Sequence, residues 1–197
     1  ENSNKNPTVN SVQRDYMAGE VSKDITKRFL LPEDIVEAHE KGIIHFHDAD
    51  YFAQNALHNC DLINLDDMWQ NGTNMNGVMI EKPHRFLTAA TIATQIILAV
   101  SSSSYGGATI SLTHLAPFVR SSYEKYLEKY KKAKLSKEMC EKLAKEDTKK
   151  EIEAGVQTFN YQVNSMTNTN GQAPFLSVAM YLGETDEYKE ELAMIIE

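Results

Sequence analysis

The sequence predicts an α/β fold, and three observations carry that prediction. Two long stretches, about 84–101 and 113–131, repeat apolar residues at three- and four-residue steps. The run Ile44-His45-Phe46-His47-Asp48 alternates apolar and polar side chains. A late run, Pro174 to Leu182, is rich in β-branched and aromatic residues and has the length of a buried strand.

Taken in order, residues 1–24 are polar with little periodicity and read as a linker or surface arm, with one short helix around Tyr16. The remainder, 25–197, reads as one incomplete domain. Pro32-Glu33-Asp34 opens a short helix and Gly42 closes it, with proline and acids where a helix start favours them. The alternating run from Ile43 to Asp48 then reads as a strand. Asp50 to Leu65 reads as loop with short regular pieces, and Asn71 to Gly77 is turn chemistry. Phe86, Ile92, Ile96 and Val100 mark the first long helix. Leu115, Phe118, Val119, Tyr123, Tyr126, Leu127 and Tyr130 mark the second, with the Ser and Gly loop 101–107 between them. Charges of both signs alternate from Glu124 to Glu151 and read as a solvated helical surface. Ile152, Val156, Phe159, Val163 and Met166 mark a third helix before the buried strand, and a further helix begins near the end.

The chain has 197 residues and a formal net charge of −8, which argues against a general nucleic-acid surface but leaves room for a nucleotide pocket. No apolar run approaches the roughly 20 residues of a membrane span, and no signal peptide is apparent. Two cysteines, Cys60 and Cys140, make no disulfide framework, so a reducing cytoplasm is the expected compartment.

Three groups of residues are candidates for chemistry. On a strand, His45 and His47 share a face and can reach one ligand or metal, with Asp48 placed to orient one of them. Cys60 lies in His58-Asn59-Cys60-Asp61, a polar setting unlike that of an inert core thiol, although on this ground alone a structural role is the better reading. The loops Ser101 to Gly107 and Asn168 to Gln172 offer backbone amides and hydroxyls suited to an anion, without the spacing of a P-loop.

Together these segments resemble the anaerobic, class III ribonucleoside-triphosphate reductases. The carriers are Ile44 to Tyr51, His58 to Leu62, Ser104-Tyr105-Gly106-Gly107 and Asn170 to Phe175, in the family's order. The resemblance implies that the chain is the N-terminal part of the catalytic subunit, a portion of a ten-stranded α/β barrel of the glycyl-radical type. It implies that Cys60 sits on the first barrel strand facing the substrate ribose, with Asn59 helping to place ribose or formate. It further implies that the two long helices form a homodimer interface and hold a deoxynucleotide effector. Contacts to that effector are expected from Glu81, Gln95 and a lysine, Lys125 or Lys129. His45 and His47 match a nucleotide-contacting pair, for substrate or effector. The family's glycyl-radical motif and zinc-binding cysteine cluster have no counterpart segment here, and the resemblance implies that the parent enzyme partners with a radical-SAM iron–sulfur activating enzyme. The resemblance therefore implies that this chain binds no metal or cofactor and is inactive alone. Cys140 matches no family cysteine and reads as incidental.

Two other readings remain open on the residues. A His-x-His pair ending a barrel strand is also a metallohydrolase signature, but His84 and His114 fall in helical stretches and cannot complete it. The chain also suits a dimerisation and nucleotide-sensing module without catalysis.

Overall fold

The computed structural model describes residues 8–54, 60–75, 77–103, 107–167 and 174–197. Its helices, in chain order, are α1 (Asn10–Ile25), α2 (Glu33–Glu40), α3 (Ala49–Phe52), α4 (Leu65–Gln70), α5 (Phe86–Ser101), α6 (Ala116–Lys132), α7 (Lys137–Ser165) and α8 (Lys189–Ile196). The strands are β1 (Asp61–Leu62), β2 (Thr73–Met75), β3 (Val78–Ile80), β4 (Gly107–Ser111) and β5 (Phe175–Ala179). Strands β1, β4 and β5 form a parallel sheet in that order, and β2 and β3 form an antiparallel hairpin. The α/β class is as the sequence predicts.

The N-terminal helices are held by polar contacts. α1 is longer than the short helix expected around Tyr16, and a π-helical turn, Thr26–Leu30, carries it to the proline. Ser22 and Thr26 are buried, and both hydroxyls donate to the Ala49 carbonyl, at 3.4 and 3.1 Å. Tyr51 donates to Asp15 at 3.0 Å. Hydroxyls dock this helix, which is why apolar periodicity does not reveal it.

Residues 43–48 form no strand, contrary to the expectation. After α2, Gly42 takes φ +70, and the N–H groups of Ile43 and Ile44 both return to the Ala38 carbonyl, at 2.9 and 3.3 Å. The Phe46 N–H donates to His39 Nδ1 at 3.2 Å. These backbone donors are consumed in closing the helix, a left-handed C-terminal arrangement that competes with any sheet ladder.

The turn read at Asn71–Gly77 is the β2–β3 hairpin, with Gly72 at φ +73 and Gly77 at φ +82. The central strand of the parallel sheet, β4, is an element the sequence reading leaves unassigned. Five residues starting with Gly between a Ser/Gly loop and a helix carry little pattern, yet Ala108 and Ile110 are fully buried. The core packs around them: Trp69 meets Phe118 edge-on at 4.9 Å between ring centres, with Leu65, Phe86, Ile97, Val119 and Leu192 buried about them. The charged stretch after 136 and the expected third helix are one continuous helix, α7, begun by the Ser136 hydroxyl accepting from the Met139 N–H. Among the described residues, no helix is long and apolar enough to cross a membrane.

Helix α7 lies against α5 because Gly155 admits the Phe86 ring. A Cβ on Gly155 would stand 2.6 Å from Phe86 Cε1 and 2.8 Å from Cδ1. Gly155→Ala is therefore expected to lower stability. Overpacking costs about 1–3 kcal/mol, and the better helix propensity of alanine returns up to ~1 kcal/mol. Urea unfolding should show a lower midpoint with an unchanged slope; an unchanged or raised midpoint would mean that the helices have room to separate.

Candidate functional site

Parallel strands enter a sheet from one edge, and that edge gathers the sequence motifs. Asp61 pairs with Ala108, and Gly107 pairs with Phe175. Cys60, one residue before Asp61, therefore stands level with Gly107 and Phe175 at the amino-terminal edge. His58-Asn59 leads into β1, Ser104-Tyr105-Gly106 into β4, and Asn170 to Ala173 leads through Pro174 into β5. Asn59 and most of these loop residues lie outside the described residues. Cys60 itself is an exposed, free thiol beside the strand. Cys140 is also free, but buried on α7, with its thiol 3.6 Å from the Leu135 carbonyl.

The histidine pair comes together without the expected strand. His47 Nδ1 and His45 Nε2 are 3.3 Å apart, and the His39 ring lies 5.5 Å from that of His45. His47 Nε2 is 3.8 Å from an Asp48 carboxylate oxygen, and burial pushes the Asp48 carboxyl above its ordinary value. Among the described residues, no group of three or more His, Cys, Asp or Glu side chains is arranged to hold a metal ion.

Of the remaining candidates, Gln95, Lys125 and Lys129 sit on helices, and Gln95 lies far from Lys129 within one chain. Glu81 is exposed in the segment between β3 and α5. Gln95 is half-buried on α5, its amide 3.9 Å from Met166 Sδ at the end of α7. Lys125 is exposed on α6. Lys129, one turn on, approaches Asp147 at 3.5 Å and Tyr130 Oη at 3.4 Å. From Asp147 to Met166 is nineteen residues of α7, roughly 28 Å at the rise of an α-helix. Gln95 and Lys129 thus mark opposite reaches of the same helix.

The sequence reading misses the group that joins these helices. Glu151, taken there as part of a solvated charge run, has a side chain only 5% exposed. It accepts hydrogen bonds from Arg85 Nη2 at 3.1 Å, the Leu87 N–H at 3.2 Å and the Ser122 hydroxyl at 3.1 Å. The Phe86 N–H in turn donates to Ser122 Oγ at 2.9 Å. One carboxylate on α7 and one hydroxyl on α6 therefore satisfy the first two amides of α5, which has no side-chain cap of its own. A signal was present: Cys140, Ala144, Thr148, Glu151 and Gly155 recur at helical steps and are all buried. Tyr126 packs beside this group with Arg85 over its ring at 4.8 Å. Burial, followed by its hydrogen bond with Glu151, pushes the phenol up to about 12.

The profile of the family described as anaerobic ribonucleoside-triphosphate reductase matches residues 1–197. The chain is 40% identical over 185 residues to the Haemophilus influenzae anaerobic ribonucleoside-triphosphate reductase, covering 93% of this chain and 26% of that relative. It is likewise 40% identical over 189 residues to the Escherichia coli protein of that name, with coverage of 95% and 26%. The enterobacteria phage T4 protein is 37% identical over 185 residues, with coverage of 93% and 30%. The chain thus spans between a quarter and a third of these relatives. Among solved structures, the Thermotoga maritima anaerobic ribonucleotide reductase in complex with dATP and CTP superposes with a TM-score of 0.59 at 15% identity. It covers 93% of this chain and 31% of that one, a likeness of fold. The same enzyme with dATP bound in the specificity site gives the same score and identity.

The Tyr126 environment makes a testable statement about pH. The unfolded phenol loses its proton near 10.0, while the folded one holds it to about 12. Tyr126 therefore contributes stability that is whole below pH 10 and is lost as pH rises through about 12. The ultraviolet difference titration between the native protein and Tyr126→Phe should show a phenolate step near 12. A step near 10 would show that the phenol is hydrated and free of Glu151.

Proposed function

Because this chain belongs to the anaerobic ribonucleoside-triphosphate reductase family, we propose that it forms the N-terminal part of the catalytic subunit of a cytoplasmic enzyme reducing ribonucleoside triphosphates to deoxyribonucleoside triphosphates. The observation that carries the proposal is the convergence of the described ends of three separated motif segments, at Cys60, Gly107 and Phe175, on one edge of a parallel sheet. An exposed thiol at a strand start suits a hydrogen donor set against a polar ribose. The remaining strands of a ten-stranded barrel, and the radical that starts the reaction, belong to the rest of such an enzyme.

In this reading the reaction balances as ribonucleoside triphosphate, formate and a proton giving deoxyribonucleoside triphosphate, carbon dioxide and water. The two electrons come from formate, and the 2′ oxygen leaves as water. Cys60 lies on the substrate and passes hydrogen in the reductive half, while Asn59 orients ribose or formate. A glycyl radical, activated by a radical-SAM iron–sulfur partner, supplies the initial one-electron oxidation. That radical and a structural zinc belong outside this chain. In the complete enzyme, Cys60→Ala should abolish deoxynucleotide formation while leaving the circular dichroism spectrum intact. Cys140→Ala should preserve turnover at some loss of stability, since it empties a buried site. Normal output from Cys60→Ala would remove the cysteine from the reaction.

We assign the two long helices, α5 and α6, to a two-fold dimer interface that also holds a deoxynucleotide effector. Tyr123 and Tyr126, half-buried on α6, suit such an interface, whereas Phe118 is taken up in the core against Trp69. The separation of Gln95 from Lys129 within one chain favours a site built from two copies: Glu81 and Gln95 of one copy read the base, and Lys129 or Lys125 of the other meets the phosphates. His45 and His47 supply further nucleotide contacts. Calorimetry with each of the four deoxynucleoside triphosphates should then give one site per protomer, with binding lost on dilution below dimerisation. Gln95→Ala should flatten the preference among the four bases by about tenfold, the worth of one good hydrogen bond to a base. No heat with any of the four on a folded dimer would remove the effector site.

A further inference from the structure

His39 occupies the last turn of α2, where a histidine ordinarily serves the helix as a cation, because positive charge complements the carbonyl end. Here the ring has a different task. Its Nδ1 accepts from the Phe46 N–H at 3.2 Å, and only an unprotonated ring nitrogen can accept. The proton of the neutral ring therefore sits on Nε2, and the ring carries no charge while this bond holds. Donor and acceptor are seven residues apart, so the bond belongs to the turn that follows the helix and not to the helix itself.

Phe46 lies between His45 and His47, and it is held twice. His39 holds its backbone, and Phe52 holds its ring edge-on, at 5.2 Å and 86°. A residue fixed at main chain and side chain sets where its two neighbours emerge. They emerge together: His47 Nδ1 and His45 Nε2 stand 3.3 Å apart, and the His39 ring backs that of His45 at 5.5 Å between centres. The Ala38 carbonyl holds the start of the turn through Ile43 and Ile44, and the Asp48 carbonyl holds its end by accepting from Tyr51 and Phe52. His39 holds the middle. Both members of the pair are exposed, so the geometry that His39 sets is presented to solvent.

We infer that His39 is the positioning residue of the His45–His47 pair, acting through the Phe46 amide as a neutral imidazole protonated at Nε2. The inference deepens the nucleotide-contact reading of the pair and rests on it only for what the pair touches. A strand would bring the two side chains to one face by its period. In this chain a third histidine brings them together without a sheet.

The test replaces His39 in the full chain by Asn, Gln and Leu, at mildly alkaline pH where free imidazole is neutral. Asn carries its side-chain oxygen where histidine carries Nδ1, Gln reaches toward the place of Nε2, and Leu keeps volume without an acceptor. Two readouts follow the pair: the nuclear Overhauser contact between the Cε1 protons of His45 and His47, and calorimetry with CTP and with dATP. Nitrogen NMR of the native chain should show the Nε2–H tautomer at His39. His39→Leu and His39→Gln should lose the proton contact and weaken whichever probe His45→Ala weakens by about fivefold, the worth of one hydrogen bond. His39→Asn should keep the contact and hold affinity within about twofold, because the acceptor is retained. A histidine that merely ended α2 would rank the variants by helix propensity, in which Leu and Gln exceed Asn. Persistence of the contact in His39→Leu, equal results from Asn and Gln, or an Nδ1–H tautomer at His39 would overturn the positioning role. Should His39→Leu unfold, Asn against Gln decides alone. If His45→Ala changes neither probe, the nucleotide reading of the pair fails, and the proton contact still decides on His39.

Discussion

A single buried carboxylate sets the arrangement of the three long helices. Taking Glu151 out of water costs several kcal/mol unless its oxygens are matched. They are matched by a guanidinium, a hydroxyl and a backbone amide, from the residue before α5, from α6 and from the first turn of α5. The same contacts remove the need for a local cap on α5, so the start of that helix is stable only where α7 and α6 bring these groups. The pairing fixes a register that continues along the helices. Gly155 meets Phe86, Gln162 meets Thr94, and Met166 meets Gln95. Each step of α7 is answered by a step of α5 in the same direction.

That register also positions the sheet. Parallel strands cannot be joined by tight turns and need long crossovers. Here α5 stands in the connection into β4, and α6 and α7 stand between β4 and β5. Because the strands run the same way, every connection re-enters the sheet at one edge. Cys60, Gly107 and Phe175, more than a hundred residues apart at the extremes, thus stand level with one another. Cys60 belongs to that edge by topology as much as by its own neighbours.

Where local reading and structure disagree, competing hydrogen bonds are the cause. The alternating run at 43–48 has the period of a strand, but the Ala38 carbonyl and the His39 ring capture its amides to finish α2. The polar face of α1 lacks an apolar stripe, and Ser22 and Thr26 dock it through the Ala49 carbonyl instead. The strand β4 is short and small-residued, and its centrality comes from two neighbours that pair with it from distant parts of the chain. In each case the deciding partner is one that a window of a dozen residues weighs poorly or does not contain.

The sequence by itself determined the helix periods, the α2 start at Pro32, the turn at Asn71–Gly77, the α/β class and the motif set that marks the family. These depend on backbone preference and on apolar repeats, which act over a few residues and can be read in order. Only the tertiary structure decided that Glu151 is buried instead of solvated, that His45 and His47 meet without a strand, and that Gln95 and Lys129 stand apart in one chain. The reason is range. The partners of Glu151 lie 66, 64 and 29 residues away, and the sign of a glutamate's contribution changes with whether those partners arrive.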